Sequence, residues 1–366
     1  MSFKDHPVAL LEQDQLHVIR GNALVSEQMG VLHDATLSII YERGWFKMLV
    51  PKEYGGSEMS LPDTVRTEEA LSWADGSLGW VVTLCAGAGW FGGFLIPEFA
   101  VEVFKNDKVC FAGSGAVTGI AEIVEDGYSI NGRWLHASGA PHATVFTANC
   151  LLTKNGRTIK NAAGEDTVLS FAFAKNEVVI IPEWHAMGMV ATASFPYEVK
   201  NILVPSNRAF KIDASVLHID RPLYHYPFLQ LAETTLSANI SGMAIHFLDL
   251  CEELFSVKEN KDNTFLIDDA QVFSALQKAK KELAEARMNM YHALDHSWEC
   301  CVKHKMITPE LQHIVSVSSR MLAQTARHAV NELYPFCGLS AADKRAEINR
   351  VWRDIHTAGQ HRLLVF

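Results

Sequence analysis

Two stretches of this sequence hold the residue types that could grip a flat ring. Ser138-Gly139 forms one loop, and Gly188-Met189 followed by Thr192 and Ser194 forms the other. Small and hydroxyl side chains at both places leave room for a planar group and donate hydrogen bonds to its edge. A Gly/Ser loop opens after Val109-Cys110 and adds Phe111, Gly113 and Ser114 from the opposite side, with Trp134 as a further aromatic candidate. Against this, each Ser or Thr alone also serves to satisfy a turn backbone. Near the C-terminus, Trp352-Arg353-Asp354-Ile355-His356-Thr357-Ala358-Gly359-Gln360-His361 offers two imidazoles, which exchange protons near neutral pH. Five residues apart on a helix, they face different ways. The alternative is that Arg353 and Asp354 only cross-link helices while both histidines lie at the surface. His292, His296 and Cys300 recur at i, i+4 and i+8, a spacing that suits zinc. No fourth ligand on another element accompanies them, so we expect no metal.

Composition bounds the class. A chain of 366 residues with 48% hydrophobic content can bury a large core and splits into two or three domains. The formal charge of -10 argues against a nucleic-acid partner and for small molecules. Seven cysteines, odd in number and without a CxxC pair, point to a reducing cytoplasm, as does an N-terminus MSFKDHPVALLEQDQ lacking a signal pattern. Gly76 to Pro97 contains no charged side chain and is long enough to span a bilayer. Amphipathic neighbours and the lack of a second such span favour a buried helix instead, and no membrane partner is expected.

The elements follow from periodicity. Two helices are predicted between Val8 and Phe46, one over Pro62 to Trp73, the uncharged helix, and a short one from Pro97 to about Asp107. From 108 to 212 the signals are strand and turn, with Asp126-Gly127 and Asn131-Gly132 predicted as two-residue hairpin turns between short antiparallel strands. A small barrel or sandwich is expected. Helices are then predicted over Leu229 to Leu254, Ala270 to His304, Pro309 to Tyr334 and Ala346 to Leu364, the number for a four-helix bundle.

The order and spacing of these words resemble the acyl-CoA dehydrogenase superfamily over nearly the whole chain. The resemblance rests on Val50-Pro51, Tyr54-Gly55-Gly56 and Leu61-Pro62-Asp63, on GYSINGRWLHASG, and on GMVATAS followed by a strand closed by Val204-Pro205. Trp134, Ser138-Gly139 and the WRDxxTxxxH stretch look closest to the two-component (group D) flavin-dependent monooxygenase branch. The implied fold is α+β, acyl-CoA dehydrogenase-like: an N-terminal helical domain (1–107), a middle β-barrel domain (108–212) and a C-terminal four-helix bundle (213–366). The implied assembly is a homotetramer or homodimer.

The resemblance further implies a flavin, FAD or FMN, between barrel and bundle, with His361 over its reactive face as the general base and His356 as a lesser candidate. Ser138, Gly139, Met189, Thr192 and Ser194 would contact the ring, with Phe111, Gly113, Ser114 and Trp134. The expected function is a flavin-dependent oxidoreductase, a monooxygenase using reduced flavin from a separate reductase and dioxygen on a small aromatic or acyl substrate. The alternative is an acyl-CoA dehydrogenase, with Glu233 within one residue of the base position in some branched-chain members; Glu347 is nearer the usual place along the chain. A flavin-free scaffold or metal-binding relative is the third reading. Departures temper the match. The Arg-x-x-Phe-Gly grip on the FAD diphosphate is missing from Ser256 to Asp268, the chain ends five residues after His361 where relatives carry a closing tail, and Cys85-Ala86-Gly87-Ala88-Gly89 replaces a helix on which aromatic hydroxylases carry a histidine.

Overall fold

The structure, a computed structural model, describes residues 6–365. The N-terminal helices are α1 (Gln13–Met29), α2 (Asp34–Glu42), α3 (Leu61–Ala74), α4 (Gly76–Gly89) and α5 (Pro97–Phe104). Local chemistry fixes their starts. The Ser60 hydroxyl accepts the Asp63 N–H at 3.2 Å with Pro62 in the first turn, and Asp75 accepts the Leu78 N–H at 2.8 Å. Between α2 and α3, Gly55 adopts φ 76°, and a methyl at Gly56 would collide with the Val50 backbone, so this turn needs both glycines. The uncharged stretch is not one helix to Pro97: α4 ends at Gly89 after 14 residues, a short 3-10 turn over Trp90–Gly93 follows, and both are largely buried. No described helix is long and apolar enough to cross a membrane.

The sheet holds β1 (Phe111–Val124), β2 (Gly127–Ala137), β3 (Val145–Lys154), β4 (Arg157–Thr158), β5 (Val168–Ala174), β6 (Val179–Ile180), β7 (Phe195–Pro205) and β8 (Ala209–Phe210). Its order is β6-β7-β2-β1-β3-β5-β8, with β4 beside β3. The expected barrel does not close among the described residues, because the edge strands β6 and β8 are two residues long and pair only inward. The strands are also neither uniformly short nor uniformly antiparallel: β1 runs 14 residues and pairs parallel to β3. The predicted turn at Asp126-Gly127 is a tight hairpin, in which Val124 pairs with Gly127. Asn131-Gly132 is not a turn but lies inside β2 at a register shift against β7. A side chain at Gly132 would strike the Trp134 indole, so the glycine marks a bulge and a close approach.

The C-terminal helices are α6 (Pro222–His225), α7 (Phe228–Val257), α8 (Ala270–His304), α9 (Pro309–Cys337) and α10 (Glu347–Ala358). Asp269 caps α8 by accepting from Gln271 and Val272, and Thr308 caps α9. The last helix stops at Ala358, short of the predicted Leu364, and a separate turn over Arg362–Leu364 follows. One apolar core runs through both sets of helices and touches the sheet at Phe111, Val145 and Ala172; a second lies within the sheet around Trp134, Phe146, Phe171 and Tyr197. α3 and α7 approach closely, since a methyl at Gly242 would meet the Glu69 carbonyl.

Candidate functional site

An open cleft of about 220 Å³ separates the sheet from α4 and α7. Its sheet wall is Ala112 to Gly115, Ser138, Thr147 to Asn149 and Ser170; its helix wall includes Leu84, Gly87, Phe91, Leu231 and Leu236; His361 and Leu363 close one end. Gly87 and Gly115 leave empty space where a side chain would project. Every lining side chain is uncharged except for the titratable His361.

The two predicted loops meet. Gly139, at φ 73°, donates its N–H to the Thr192 carbonyl at 2.8 Å. The Ser138 and Ser194 hydroxyls lie 2.8 Å apart, Ser194 and Thr192 hydroxyls 2.7 Å, and Thr192 donates to the Met189 carbonyl at 2.8 Å. Trp80 of α4 donates its indole N–H to Ser138 Oγ at 3.1 Å. Of this chain of hydroxyls only Ser138 reaches the cleft; Gly139, Met189, Thr192 and Ser194 form the layer that holds it. Gly113 and Ser114 also line the cleft.

Three successive loop residues are clamped by α10. Arg353 donates to the Met187 carbonyl at 2.7 Å, Gly188 donates its N–H to Thr357 Oγ1 at 3.0 Å, and Asp354 accepts the Met189 N–H. The Arg353 guanidinium also bonds Glu27 of α1. A methyl at Gly188 would collide with the Arg353 carbonyl, so the loop lies flush on the helix. Burial raises the Asp354 carboxyl to about 7, with Asp75 adding repulsion. The cross-linking role expected of Arg353 and Asp354 is therefore real, but the link runs from the last helix to the sheet's loop.

His361 lies beyond α10, where its Nδ1 accepts the Leu363 N–H at 3.4 Å. Its ring meets Trp80 edge-on at 6.0 Å. Burial lowers its pKa, helped by Arg362 and His136, so the imidazole is neutral at pH 7. Nε2 finds no hydrogen-bond partner among the described residues; because Nδ1 accepts, the neutral ring carries its proton on Nε2, which is on offer as a donor.

Other candidates lie elsewhere. His356 stacks on Trp352 at 4.2 Å, with Nδ1 2.7 Å from the Trp352 carbonyl and Nε2 2.9 Å from Asn331 Oδ1, and it does not line the cleft. Trp134 is wholly buried in the sheet's own core, stacked on Tyr197, and Phe111 packs on Phe104, so neither ring reaches the cleft. Glu233 is fully buried and paired with Arg320 at 2.6 Å; its neighbour Ala232 lines the cleft instead, as 100° per residue on a helix requires. Glu347 is ion-paired with Arg350 at 3.4 Å and lies 3.4 Å from His246 Nε2, and its pKa is held down to about 2 by the His246 contact above all. His292 and His296 lie exposed on α8, and no metal-binding group of three or more His, Cys, Asp or Glu residues occurs among the described residues. Sequence reasoning missed Thr83, Asn149 and Phe228 in the lining, because no spacing rule sets α4, β3 and α7 in mutual register.

A flavin's ring system fits this cleft: glycine-walled, uncharged and lined on its sheet side by hydroxyl and amide groups. No lining cation answers its phosphates, which would extend beyond the cleft.

The family profile described as "Acyl-CoA dehydrogenase, C-terminal domain" matches residues 234–366, and "Acyl-CoA dehydrogenase, N-terminal domain" matches residues 21–95, together more than half of the chain. The chain is 24% identical over 363 residues to "Flavin-dependent monooxygenase, oxygenase subunit HsaA" of Rhodococcus jostii (strain RHA1), covering 94% of this chain and 91% of that one. The crystal structure of 3-HSA hydroxylase from Rhodococcus sp. RHA1 superposes with a TM-score of 0.89 at 22% identity, covering 99% of this chain and 94% of that one. XiaF from Streptomyces sp., solved in complex with FADH2 and glycerol, superposes with a TM-score of 0.86 at 20% identity, covering 98% and 92%. The chain belongs to the acyl-CoA dehydrogenase superfamily.

Proposed function

We propose that this protein is the oxygenase component of a flavin-dependent monooxygenase that receives reduced flavin, FMN or FAD, from a separate reductase and oxygenates a small aromatic or acyl substrate. The observation that carries this reading is the uncharged cleft whose one titratable side chain is His361. When bound, the reduced flavin supplies the electrons that activate dioxygen, which no side chain can do. Ser138 and the Ala112–Gly115 strand would hold the ring, while the Ser194, Thr192 and Met189 layer fixes Ser138 in place. His361 Nε2–H would donate the hydrogen bond that holds the substrate's oxygen atom.

The dehydrogenase reading needs a carboxylate base in the cleft. The lining contains none, and Ala232 stands at the helix position where one would project. A scaffold without flavin is disfavoured by the empty, glycine-walled space. We read α7 to α10 as a four-helix bundle and residues 1–107, 108–212 and 213–366 as the three units. Homodimers or homotetramers are suggested by the exposed apolar side chains Ile314, Val317 and Met321 on one face of α9. The seven cysteines are free thiols, in keeping with a reducing cytoplasm.

The test is a reductase-coupled assay with labelled dioxygen and a panel of phenols and acyl-CoA esters. Label in a hydroxylated product supports the oxygenase; flavin reduction by an acyl-CoA without oxygen incorporation would replace it with the dehydrogenase.

A further inference from the structure

Most of the cleft's polar side chains are engaged with the protein itself; on the sheet wall, which the flavin ring would face, the Ser114 and Thr147 hydroxyls keep a free O–H among the described residues. Thr83 Oγ1 accepts from Asn239 at 2.7 Å, Asn149 donates to the Gly115 carbonyl at 3.1 Å and accepts from Ser170 at 2.7 Å, and Thr235 donates to the Leu231 carbonyl at 3.0 Å. Ser138 is held by Trp80 and Ser194. On the helix side, what remains on offer is one imidazole nitrogen, His361 Nε2, beside a wall of Leu84, Phe91, Phe228, Leu231, Leu236 and Leu363. Gly87, Ala88 and Ala232 keep the wall thin and the space wide.

From this we infer that the substrate is an uncharged, largely apolar ring compound with a single hydrogen-bonding group that meets His361 Nε2, and that the cleft rejects carboxylates. The inference rests on the oxygenase reading above and narrows its substrate. An anion against the helix wall would lose its hydration without gaining an arginine, a lysine or a free donor other than the histidine. That loss is large in an apolar site. A neutral hydroxyl loses little, because the one hydrogen bond it needs is waiting.

The experiment compares 2-naphthol with 6-hydroxy-2-naphthoate, two probes that differ by a carboxylate, by equilibrium dialysis against the full chain with and without bound FMN. Naphthol is expected to bind, and the naphthoate about 100-fold more weakly or worse. Leu84→Arg should raise naphthoate affinity toward that of naphthol, since it adds the missing cation at the wall. Gly87→Leu, where nothing crowds an added side chain, should weaken naphthol binding without unfolding the protein. Equal binding of both probes, or binding of neither, would overturn the inference. Loss of FMN uptake with the naphthol preference retained would sink the oxygenase reading and leave the charge selectivity standing.

Discussion

Asp354 of α10 accepts the backbone N–H of Met189, tying the last helix to the loop that fixes Ser138. The carboxyl is completely buried, and its neutral form is favoured up to about pH 7. One contact thus links the C-terminal helix, the sheet and the cleft.

A pH prediction follows from that burial. Unfolded, the carboxyl ionises near the ordinary aspartate value; folded, near 7. The stability it confers is complete below the unfolded value and is lost as pH rises through the folded one. Asp354→Asn keeps an acceptor for Met189 but cannot ionise. Thermal melts of the native chain should therefore fall relative to the variant between about pH 4 and 7. Glu68, raised to about 8 by burial, has the same sign in both proteins and cancels in the difference. Parallel melting curves across that range would remove Asp354 from the account.

His361→Ala should lower turnover by about 10²- to 10³-fold, the usual worth of one positioned hydrogen-bond donor, with flavin uptake nearly intact. Because burial lowers the imidazole's pKa, the acidic limb of kcat/KM in the native enzyme should fall below the ordinary histidine value. Stopped-flow turnover against pH measures both; a variant as active as the native chain excludes the imidazole.

Gly188→Ala would press a methyl into the Arg353 carbonyl. The cost of such overpacking is about 1–3 kcal/mol of stability, read by urea denaturation. Flavin affinity should drop with it, because the displaced loop carries Thr192 and Ser194. Unaltered flavin binding would mean that the clamp does not govern the site.

Removing the partner of Glu233 should be costly. Arg320→Ala leaves a carboxylate buried with no cation and should destabilise by about 3–5 kcal/mol. Glu233→Gln, by contrast, should preserve turnover per folded molecule, because Ala232 and not Glu233 faces the cleft. Abolished turnover in a folded Glu233→Gln protein would restore the dehydrogenase base.

The sequence makes local elements legible and tertiary contacts less so. α8 has the predicted limits, Ala270 to His304, because an aspartate cap starts it and Lys305 ends it in the left-handed region at φ 54°. α10 was read too long, because its apolar spacing continues through Leu363 and Leu364 although the helix ends at Gly359. Asn131-Gly132 has the composition of a turn, but the glycine is needed to pass the Trp134 ring inside a strand. In the site, Ser138, Gly113, Ser114 and His361 were legible because small, hydroxyl and imidazole side chains are conspicuous where they occur. Trp80 carries no local signal of its role, yet it donates to Ser138. That pairing depends on how α4 crosses the end of β2, which no local pattern encodes.

The central claim is that a flavin ring occupies the cleft between the sheet and α4 and α7. A crystal structure of the protein soaked with reduced FMN or FAD tests it most directly. The account predicts density for the ring system between Gly113–Gly115 and His361, within hydrogen-bond reach of Ser138. Flavin density elsewhere on the chain, with this cleft filled only by solvent, would contradict it.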